Sequence, residues 1–348
     1  GFYLPFKQDY TVEGFSTVIW TGTGANQYIG GTGFQPDFTW IKGRSAAEYS
    51  TIHDAVRGAD KSLASEVTNA EATTGSGRVA SFDTDGFSLG TSGNVNANGT
   101  TYVAWNWDMG GSNATNTTGS INSTVRANPS YGQSIVSYTG SSGAQTIGHG
   151  LSSTPEMIIV KDRSSAQEWL VYHHSLTDAK DKYLRLDTTS AVADNTFWND
   201  TAPTNQVFSV GDSQPVNSGH GDSYIAYCFH SVTGYSKFGT YEGDGSTSHA
   251  ITTGFKPAFV LTKNVDSPSD PQDWFMFDNT RSPSNPVKKL LKPNSSNAEG
   301  ADSTGLVNFT DTGFTWLKGN DGINKSGDTF IYMAFADKRE YAYWLDQS

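Results

Sequence analysis

The 348-residue chain has a composition typical of an extracellular β protein. It carries 35 acidic and 23 basic residues, a net charge of −12 that argues against nucleic acid or an anionic membrane surface as its partner. Only 17% of the residues are charged while 37 are glycine, as in proteins built from short strands and tight turns. No apolar run approaches the roughly 18 residues of a transmembrane helix.

Residues 1–14 are predicted to form a short strand or tether ahead of the first domain. The sequence opens at Gly1 without an initiator methionine, which predicts a fragment or a processed product. The single cysteine, Cys228, has no partner for an intrachain disulfide. Because it lies inside an apolar run, we expect it to be a small buried residue.

One stretch of the sequence occurs three times. Its copies run from Gly33 to Lys42, from Gly150 to Lys161 and from Gly254 to Lys263. In each copy a glycine precedes an apolar residue, a proline follows, and an apolar run ends in a lysine six positions after the proline. Glycine permits a turn and proline stiffens the loop, so a strand is predicted to begin just past the proline. The lysine is interpreted as a charged cap on the strand.

Other features recur around these copies in the same order, including an earlier strand that ends in a small-residue turn and a dense aromatic strand that closes each copy. The repeat predicts an all-β fold of three tandem homologous antiparallel β-sandwich domains, jelly-roll-like, at residues 15–108, 133–230 and 236–337. A helix over 177–186 is the one alternative to strands. In the first domain, strands are predicted near 16–21, 37–42, 49–53, 62–67, 78–83, 86–89 and 101–107.

The segments between the predicted domains differ in length. Residues 109–132, rich in Gly, Ser, Asn and Thr, are predicted to be a low-complexity linker, whereas residues 231–235 are the whole connection between the second and third domains. The second and third domains are therefore expected to pack tightly and the first to be held more loosely, unless the linker is pinned to a surface. Residues 338–348 are predicted to be a C-terminal tail.

Several of these motifs resemble a known family. The repeated Gly-Phe-x-Pro stretch, the opening Gly1-Phe2-Tyr3-Leu4-Pro5-Phe6 and the run from Tyr224 to His230 resemble tandem β domains in virion structural proteins of marine tailed phages, including cyanophages. The resemblance covers residues 1–337. It implies a tail fibre, an appendage or a head decoration, located in the virion, with other virion proteins and possible host-surface glycans as partners. It carries over no catalytic residue.

A polar pair that follows an aromatic strand in each copy is the best candidate for chemistry. The pairs are matched as His53-Asp54, His173-His174 and Asp278-Asn279. A metal site would require His and carboxylate ligands from several chain positions. A shared catalytic role is disfavoured because the chemistry of the pair changes from copy to copy. We interpret the pairs as strand-end residues that make turn hydrogen bonds.

Carboxylates raise two further alternatives. Asp83 and Asp85 lie on one strand face, whereas the two carboxylates of a glycosidase face each other across a sugar, and an Asp-x-Asp before a glycine is more typical of a solvated turn. A calcium loop would need more oxygen ligands than the three acids of one loop supply. Those acids are Asp266, Asp270 and Asp273. The sequence therefore predicts no catalytic residue, no cofactor and no metal site.

Four aromatic residues are candidates for binding. Trp198, in an irregular loop, is predicted to lie near the surface and is the candidate for glycan contact. Tyr341, Tyr343 and Trp344 follow the last repeat, and they are the candidates for contact between subunits of a homo-oligomer, with a trimer favoured from the fibre resemblance. The function predicted is a non-enzymatic virion structural protein. The alternatives are a virion polysaccharide depolymerase and a cellular lectin-like surface protein.

Overall fold

A computed structural model describes residues 14–266 and 269–336, which form an all-β protein of several antiparallel sheets. We call residues 15–107 unit 1, residues 133–229 unit 2 and residues 236–336 unit 3. Unit 1 contains β1 (Phe15–Thr21), β2 (Gln27–Gly30), β3 (Phe38–Gly43), β4 (Thr51–Asp54), β5 (Gly58–Leu63), β6 (Ala72–Thr73), β7 (Val79–Asp83), β8 (Gly86–Leu89), the single helical turn α1 (Gly93–Asn96) and β9 (Thr101–Trp107).

Two strands lie between units 1 and 2, namely β10 (Ala114–Asn116) and β11 (Ser123–Asn128). Unit 2 contains β12 (Gln133–Thr139), β13 (Gln145–Gly148), β14 (Met157–Asp162), β15 (Leu170–His173), β16 (Lys182–Arg185), β17 (Ala193–Asp194), β18 (Val207–Val210) and β19 (Ser223–Phe229). Unit 3 contains β20 (Ser236–Glu242), β21 (His249–Thr252), β22 (Pro257–Asn264), β23 (Trp274–Asp278), β24 (Lys289–Leu290), β25 (Gly300–Ala301), β26 (Val307–Thr310), β27 (Gly313–Trp316) and β28 (Thr329–Ala336).

The main sheet has the same strand order in each unit. The first strand pairs with the last, the last with the third and the third with the fourth, giving β1-β9-β3-β4, β12-β19-β14-β15 and β20-β28-β22-β23. A smaller antiparallel sheet accompanies each, formed by β2-β8-β7, by β13-β18 and by β21-β27-β26. In the part of the chain that is described, no helix is long and apolar enough to cross a membrane.

The glycine before each third strand has the backbone conformation that the sequence suggested. Gly33, Gly150 and Gly254 have φ values of 81°, 74° and 90°, a region that residues with a Cβ rarely adopt. The third strand then begins at Phe38, at Met157 and at Pro257. The local chemistry of Gly and Pro therefore sets where these strands start, as the repeat predicted.

Each main sheet is buried on both faces. One face packs on the smaller sheet of its own unit to form an outer core, as Trp20 and Phe87 do in unit 1 and Phe277 and Trp316 do in unit 3. The opposite faces of the three main sheets meet in one shared core. Its contributors from all three units include Phe15, Phe38, Trp105, Trp107, Ile135, Met157, Tyr227, Phe229, Phe238, Phe259 and Phe335.

The shared core shows that unit 1 is not held loosely, as expected for the case in which the linker is pinned to a surface. The ring of Phe15 in unit 1 lies 5.6 Å from the ring of Phe259 and 5.1 Å from that of Phe335, both in unit 3. The ring of Phe38 lies 4.4 Å from that of Tyr227 in unit 2. Unit 1 is therefore packed as closely as its neighbours, because its aromatic residues are part of the common core.

Residues 109–132 are also more ordered than a low-complexity linker. Strand β11 pairs with β12 along its full length, and β10 pairs with β11, so the segment extends the main sheet of unit 2. Arg126 on β11 reaches back to Asp37 of unit 1, with 2.6 Å between Nη2 and Oδ1. Composition suggested flexibility, but these hydroxyl and amide residues pair through their backbones, which composition does not reveal. Residues 177–186 form no helix and contain β16 instead.

Candidate functional site: the junctions between the units

The lysine that ends each repeated stretch is buried at a junction between two units. Lys42, Lys161 and Lys263 have no exposed surface. Each Nζ donates a hydrogen bond to a backbone carbonyl of another unit: Lys42 to Ser295, Lys161 to Thr68 and Lys263 to Thr189. Burial lowers the pKa of Lys161 and of Lys263 to about 8. These lysines, interpreted from the sequence as charged caps on the strands, therefore join neighbouring units through buried hydrogen bonds.

The three junctions close a ring, because each unit contacts both of the others in the same way. The backbone N–H directly before the sixth strand of one unit donates to the carbonyl of the residue just past the third strand of the next. The donor and acceptor pairs are Glu71 with Arg163, Val192 with Val265, and Glu299 with Arg44, at 2.9, 3.0 and 2.8 Å. The shared core lies inside this ring.

The junction between units 1 and 2 contains a buried network of charges. The Arg57 guanidinium contacts Asp54 and Glu71 of its own unit, and Glu71 forms a bidentate pair with Arg163 of unit 2 at 2.9 Å for both bonds. The hydroxyl of Tyr227 donates to Asp54 at 2.8 Å. Burial alone would lower the pKa of Arg57, but Asp54, Tyr227 and Glu71 raise it above its ordinary value. All members of the network are thereby paired.

The junction between units 3 and 1 repeats this network with different residues. Arg281 contacts Asp278 and Glu299, and Glu299 pairs with Arg44 of unit 1 at 2.9 and 3.1 Å. The indole of Trp105 donates to Asp278 at 3.1 Å, where the first network uses Tyr227. The Arg281 guanidinium also lies 5.5 Å from the centroid of the Trp105 ring. We call these two the charged junctions.

The junction between units 2 and 3 is apolar. The strand register places His173 where units 1 and 3 have Asp54 and Asp278. The remaining positions of the network are occupied by Leu176, Val192, Val265 and Met333, all of which are buried in or packed against the shared core. Arg, Glu and Asp are thus replaced together by residues that need no charged partner. We call this the apolar junction.

The register corrects the matching of the polar pairs. Phe38, Met157 and Phe259 lie opposite Asp54, His173 and Asp278 respectively, so the sequence match was wrong by one residue in unit 1. His53, Asp54, His173 and Asp278 are fully buried rather than placed at an exposed strand end. The backbone N–H of Val56 and of Arg57 both donate to Asp54, which agrees with the interpretation as turn hydrogen bonds. The side chains do more than that, because they also hold the junctions.

Sequence reasoning missed a buried asparagine that recurs in the three units. Asn96, Asn217 and Asn324 each accept a hydrogen bond from the backbone just after the small-residue turn, from Thr23, Ser141 and Asp244. The residue before each asparagine accepts a bond from the aromatic side chain ahead of that turn: Val95 from Trp20, Val216 from Tyr138 and Ile323 from Tyr241. The sequence signal for this asparagine was a Val/Ile-Asn dipeptide ahead of each closing strand. The signal for the charged junctions was the repeated Asp-x-x-Arg spacing that begins at Asp54 and at Asp278.

The predicted glycan platform is not at the surface. Trp198 is only 1% exposed, and its indole donates to the carbonyl of Lys182 at 2.8 Å. The loop looked irregular in sequence, but a short helical turn at Thr196–Trp198 directs the ring into the outer core of unit 2. The subunit-contact candidates Tyr341, Tyr343 and Trp344 lie outside the described residues.

Four of the five other acidic candidates have structural partners, namely Asp83, Asp85, Asp266 and Asp273. Asp83 accepts hydrogen bonds from Ser81 and Ser88, and Asp85 accepts from the backbone of Gly31 and Gly33 within the same turn region. Of the three acids considered for calcium, Asp273 is held by Lys292 and Asn294. Over residues 14–266 and 269–336, no group of three or more His, Cys, Asp or Glu is placed to hold a metal ion. Cys228 is buried, and burial raises the pKa of its thiol.

The buried histidines predict sensitivity to acid. Burial, together with the charge of Arg57 for His53, lowers the pKa of His53 and His173 to about 3, and burial lowers that of His149 to about 4. The unfolded chain takes up these protons below about pH 6.5, so the contribution of the histidines to stability is complete above that pH and falls by about 1.4 kcal/mol per pH unit for each histidine below it. Below about pH 4.5 the paired Glu71 and Glu299, whose pKa values are lowered, add to the loss.

The measurement is urea unfolding between pH 7.5 and 4. We expect His173→Gln to reduce the slope of the unfolding free energy against pH by the equivalent of about one proton. The matched substitution of the exposed His220 should leave this slope unchanged. An unfolding free energy that stays constant between pH 6.5 and 4.5 contradicts the assignment of these histidines as neutral.

The whole ring corresponds to one known family. The family described as "Domain of unknown function (DUF7483)" matches residues 11–339. The chain belongs to this family. The matched residues include all of units 1, 2 and 3. No curated protein and no solved structure matches the chain.

Proposed function

We propose that the chain is a non-enzymatic structural protein of a tailed-phage virion, a tail fibre, appendage or head decoration component that contacts the host surface. The observation that carries the proposal is the use of the polar side chains. Asp54, Arg57, Asp278, Arg281, Lys161 and Lys263 are buried in the junctions, where they join the units into one ring. Such a ring is suited to a rigid building block. The assignment to a virion rests on the resemblance of the repeated motifs to phage virion proteins.

We also propose that the three units are homologous copies of one β-sandwich domain, jelly-roll-like. The shared strand order, the matched register of Phe38, Met157 and Phe259, and the recurring buried asparagine support this. Units of common origin are expected to share these internal contacts. The proposal predicts that the backbones of the three main sheets superpose.

Mass spectrometry of purified virions tests the structural role. Detection of the chain in the particle supports the proposal, and its absence from particles of the phage that encodes it overturns it. Shortening of host polysaccharide by the purified chain would identify a depolymerase instead. Surface labelling on a cell that carries no phage would identify the third candidate, a cellular lectin-like protein.

The working form is proposed to be a homo-oligomer, with a trimer favoured by the resemblance to fibres. The candidate contact is the tail with Tyr341, Tyr343 and Trp344. Deletion of residues 340–348 is expected to lower the mass measured by light scattering from that of the oligomer to that of one chain. An unchanged oligomer after the deletion excludes the tail from the interface, and a monomeric full-length chain excludes the oligomer.

A further inference from the structure

Unit 3 departs from units 1 and 2 at three positions that meet at one place on the surface. The loop between Lys263 and Trp274 is three residues longer than the loop between Lys161 and Trp169. The next residue, Phe275, stands where unit 2 has Leu170. Gly322 stands where unit 2 has a proline, just before the repeated Val/Ile-Asn dipeptide. Unit 1 has Thr51 and Asn94 at the last two positions, so the combination found in unit 3 occurs in neither of the other units.

These three departures fit one another. Leu170 is fully buried, whereas Phe275 is only partly buried. A Cβ added at Gly322 would lie 2.5 Å from the Phe275 ring, so glycine leaves the room that the ring occupies. The preceding residue, Trp274, points the other way, since its indole donates to the backbone carbonyl of Arg185 in unit 2. Phe275 packs against the outer core of unit 3 and the ring of Phe277, and it keeps part of its surface exposed.

The Phe275 ring separates two shallow depressions. One, of about 440 Å³, is lined by Asp270 and Gln272 of the longer loop and by Asn320 and Asp321 on the opposite side. The other, of about 260 Å³, lies towards Leu290 and Asn297. We call the two depressions with the ring between them the Phe275 groove.

The chemistry of the groove selects its ligand. The carboxylates of Asp270 and Asp321 have no hydrogen-bond partner among the described residues, so they are free to accept from hydroxyl groups. Lys292, 5.5 Å from the ring centroid, is neutralised by Asp273 at 2.5 Å. The groove is thus net negative, which disfavours anionic polymers. An apolar ring flanked by acceptors matches a sugar, which has a C–H face and donor hydroxyls.

We propose that the Phe275 groove binds a neutral oligosaccharide, with one sugar stacked on Phe275 and its neighbours hydrogen-bonded to the flanking acids. The inference rests on the proposed function, for which it names the class of host-surface ligand. It also replaces Trp198 as the glycan-contact residue. Because Leu170 occupies the corresponding position in unit 2, leucine is compatible with this strand and gives a variant that keeps the fold.

Isothermal titration calorimetry of the full chain tests the proposal with neutral hexaoses of glucose, mannose and N-acetylglucosamine, and with an anionic hexagalacturonate. We expect at least one neutral hexaose to bind and the anionic one to bind more weakly. Phe275→Leu should weaken binding by about tenfold or more, and Asp321→Asn should weaken it to a smaller extent. The control is Tyr28→Leu, an exposed aromatic of unit 1 that is 55% exposed. Thermal unfolding should be unchanged in all three variants.

Two results would overturn the inference: no binding of any neutral hexaose, or binding that Phe275→Leu leaves unchanged. Binding that is abolished by a calcium chelator would also overturn it, since the groove would then be a cation site. The test is independent of the virion test. A chain that is present in virions but binds no glycan supports the structural role and contradicts the glycan site. A chain that binds glycan but is absent from virions supports the glycan site and contradicts the structural role.

Discussion

Replacing Arg57 by leucine is expected to lower the free energy of unfolding by about 3–5 kcal/mol. The substitution leaves Asp54 and Glu71 buried without the guanidinium that holds both of them. An uncompensated buried charge is far more costly than the loss of an exposed ion pair. Loss of packing is a smaller term, because Leu176 occupies the same position in the apolar junction. Chemical unfolding at pH 7 measures the effect.

The apolar junction supplies a matched control for this prediction. If charge mismatch is the cause, changing the whole junction to the apolar set should restore most of the lost stability. Buried ion networks are often replaced by apolar residues at little cost when every member is changed together. A combined variant that is no more stable than Arg57→Leu alone would contradict the argument. The combined variant carries Asp54→His, Arg57→Leu, Glu71→Val, Arg163→Val and Tyr227→Met.

The three units are expected to unfold in one transition. Independent tandem domains would give separate transitions, but here each main sheet buries one face in the core that all three share. Unfolding one unit would expose aromatic residues of the other two, so partly unfolded states are unfavourable. Scanning calorimetry should therefore show a single peak whose calorimetric and van't Hoff enthalpies agree. Three resolved peaks would show that the units are independent.

Phe259→Ala probes the same coupling from one residue. Phe259 is fully buried and contacts the rings of Phe15, Trp105 and Trp107, all in unit 1. Its truncation removes apolar contact and leaves a cavity, at a cost of about 3–5 kcal/mol. We expect the single transition to shift as a whole to lower temperature. Tyr49→Ala, at a position that is 52% exposed, should leave it in place, and a variant in which only part of the chain melts early would contradict the shared core.

Local patterns in the sequence predicted much of the architecture. Most strands of unit 1 lie within about two residues of their predicted positions, because alternating apolar residues and Gly-Pro turns act over short distances. The short strands β2 and β6 were not predicted, since four and two residues carry too little pattern. The expected burial of Cys228 is confirmed. The exposed position of Trp198 was wrong because burial depends on what packs over a loop.

The all-β character of the chain, the motif that occurs three times and the starts of the third strands can be predicted from local sequence, because they follow from residue chemistry acting over a few positions. How the three units combine depends instead on contacts between distant parts of the chain. Ser295, which accepts from Lys42, and Arg163, which pairs with Glu71, lie in other units, 253 and 92 residues away in the chain. The identity of a lysine or a glutamate in the sequence does not show whether its side chain is solvated or buried. Its role is fixed by the surface that desolvates it, and that surface exists only once the ring has closed.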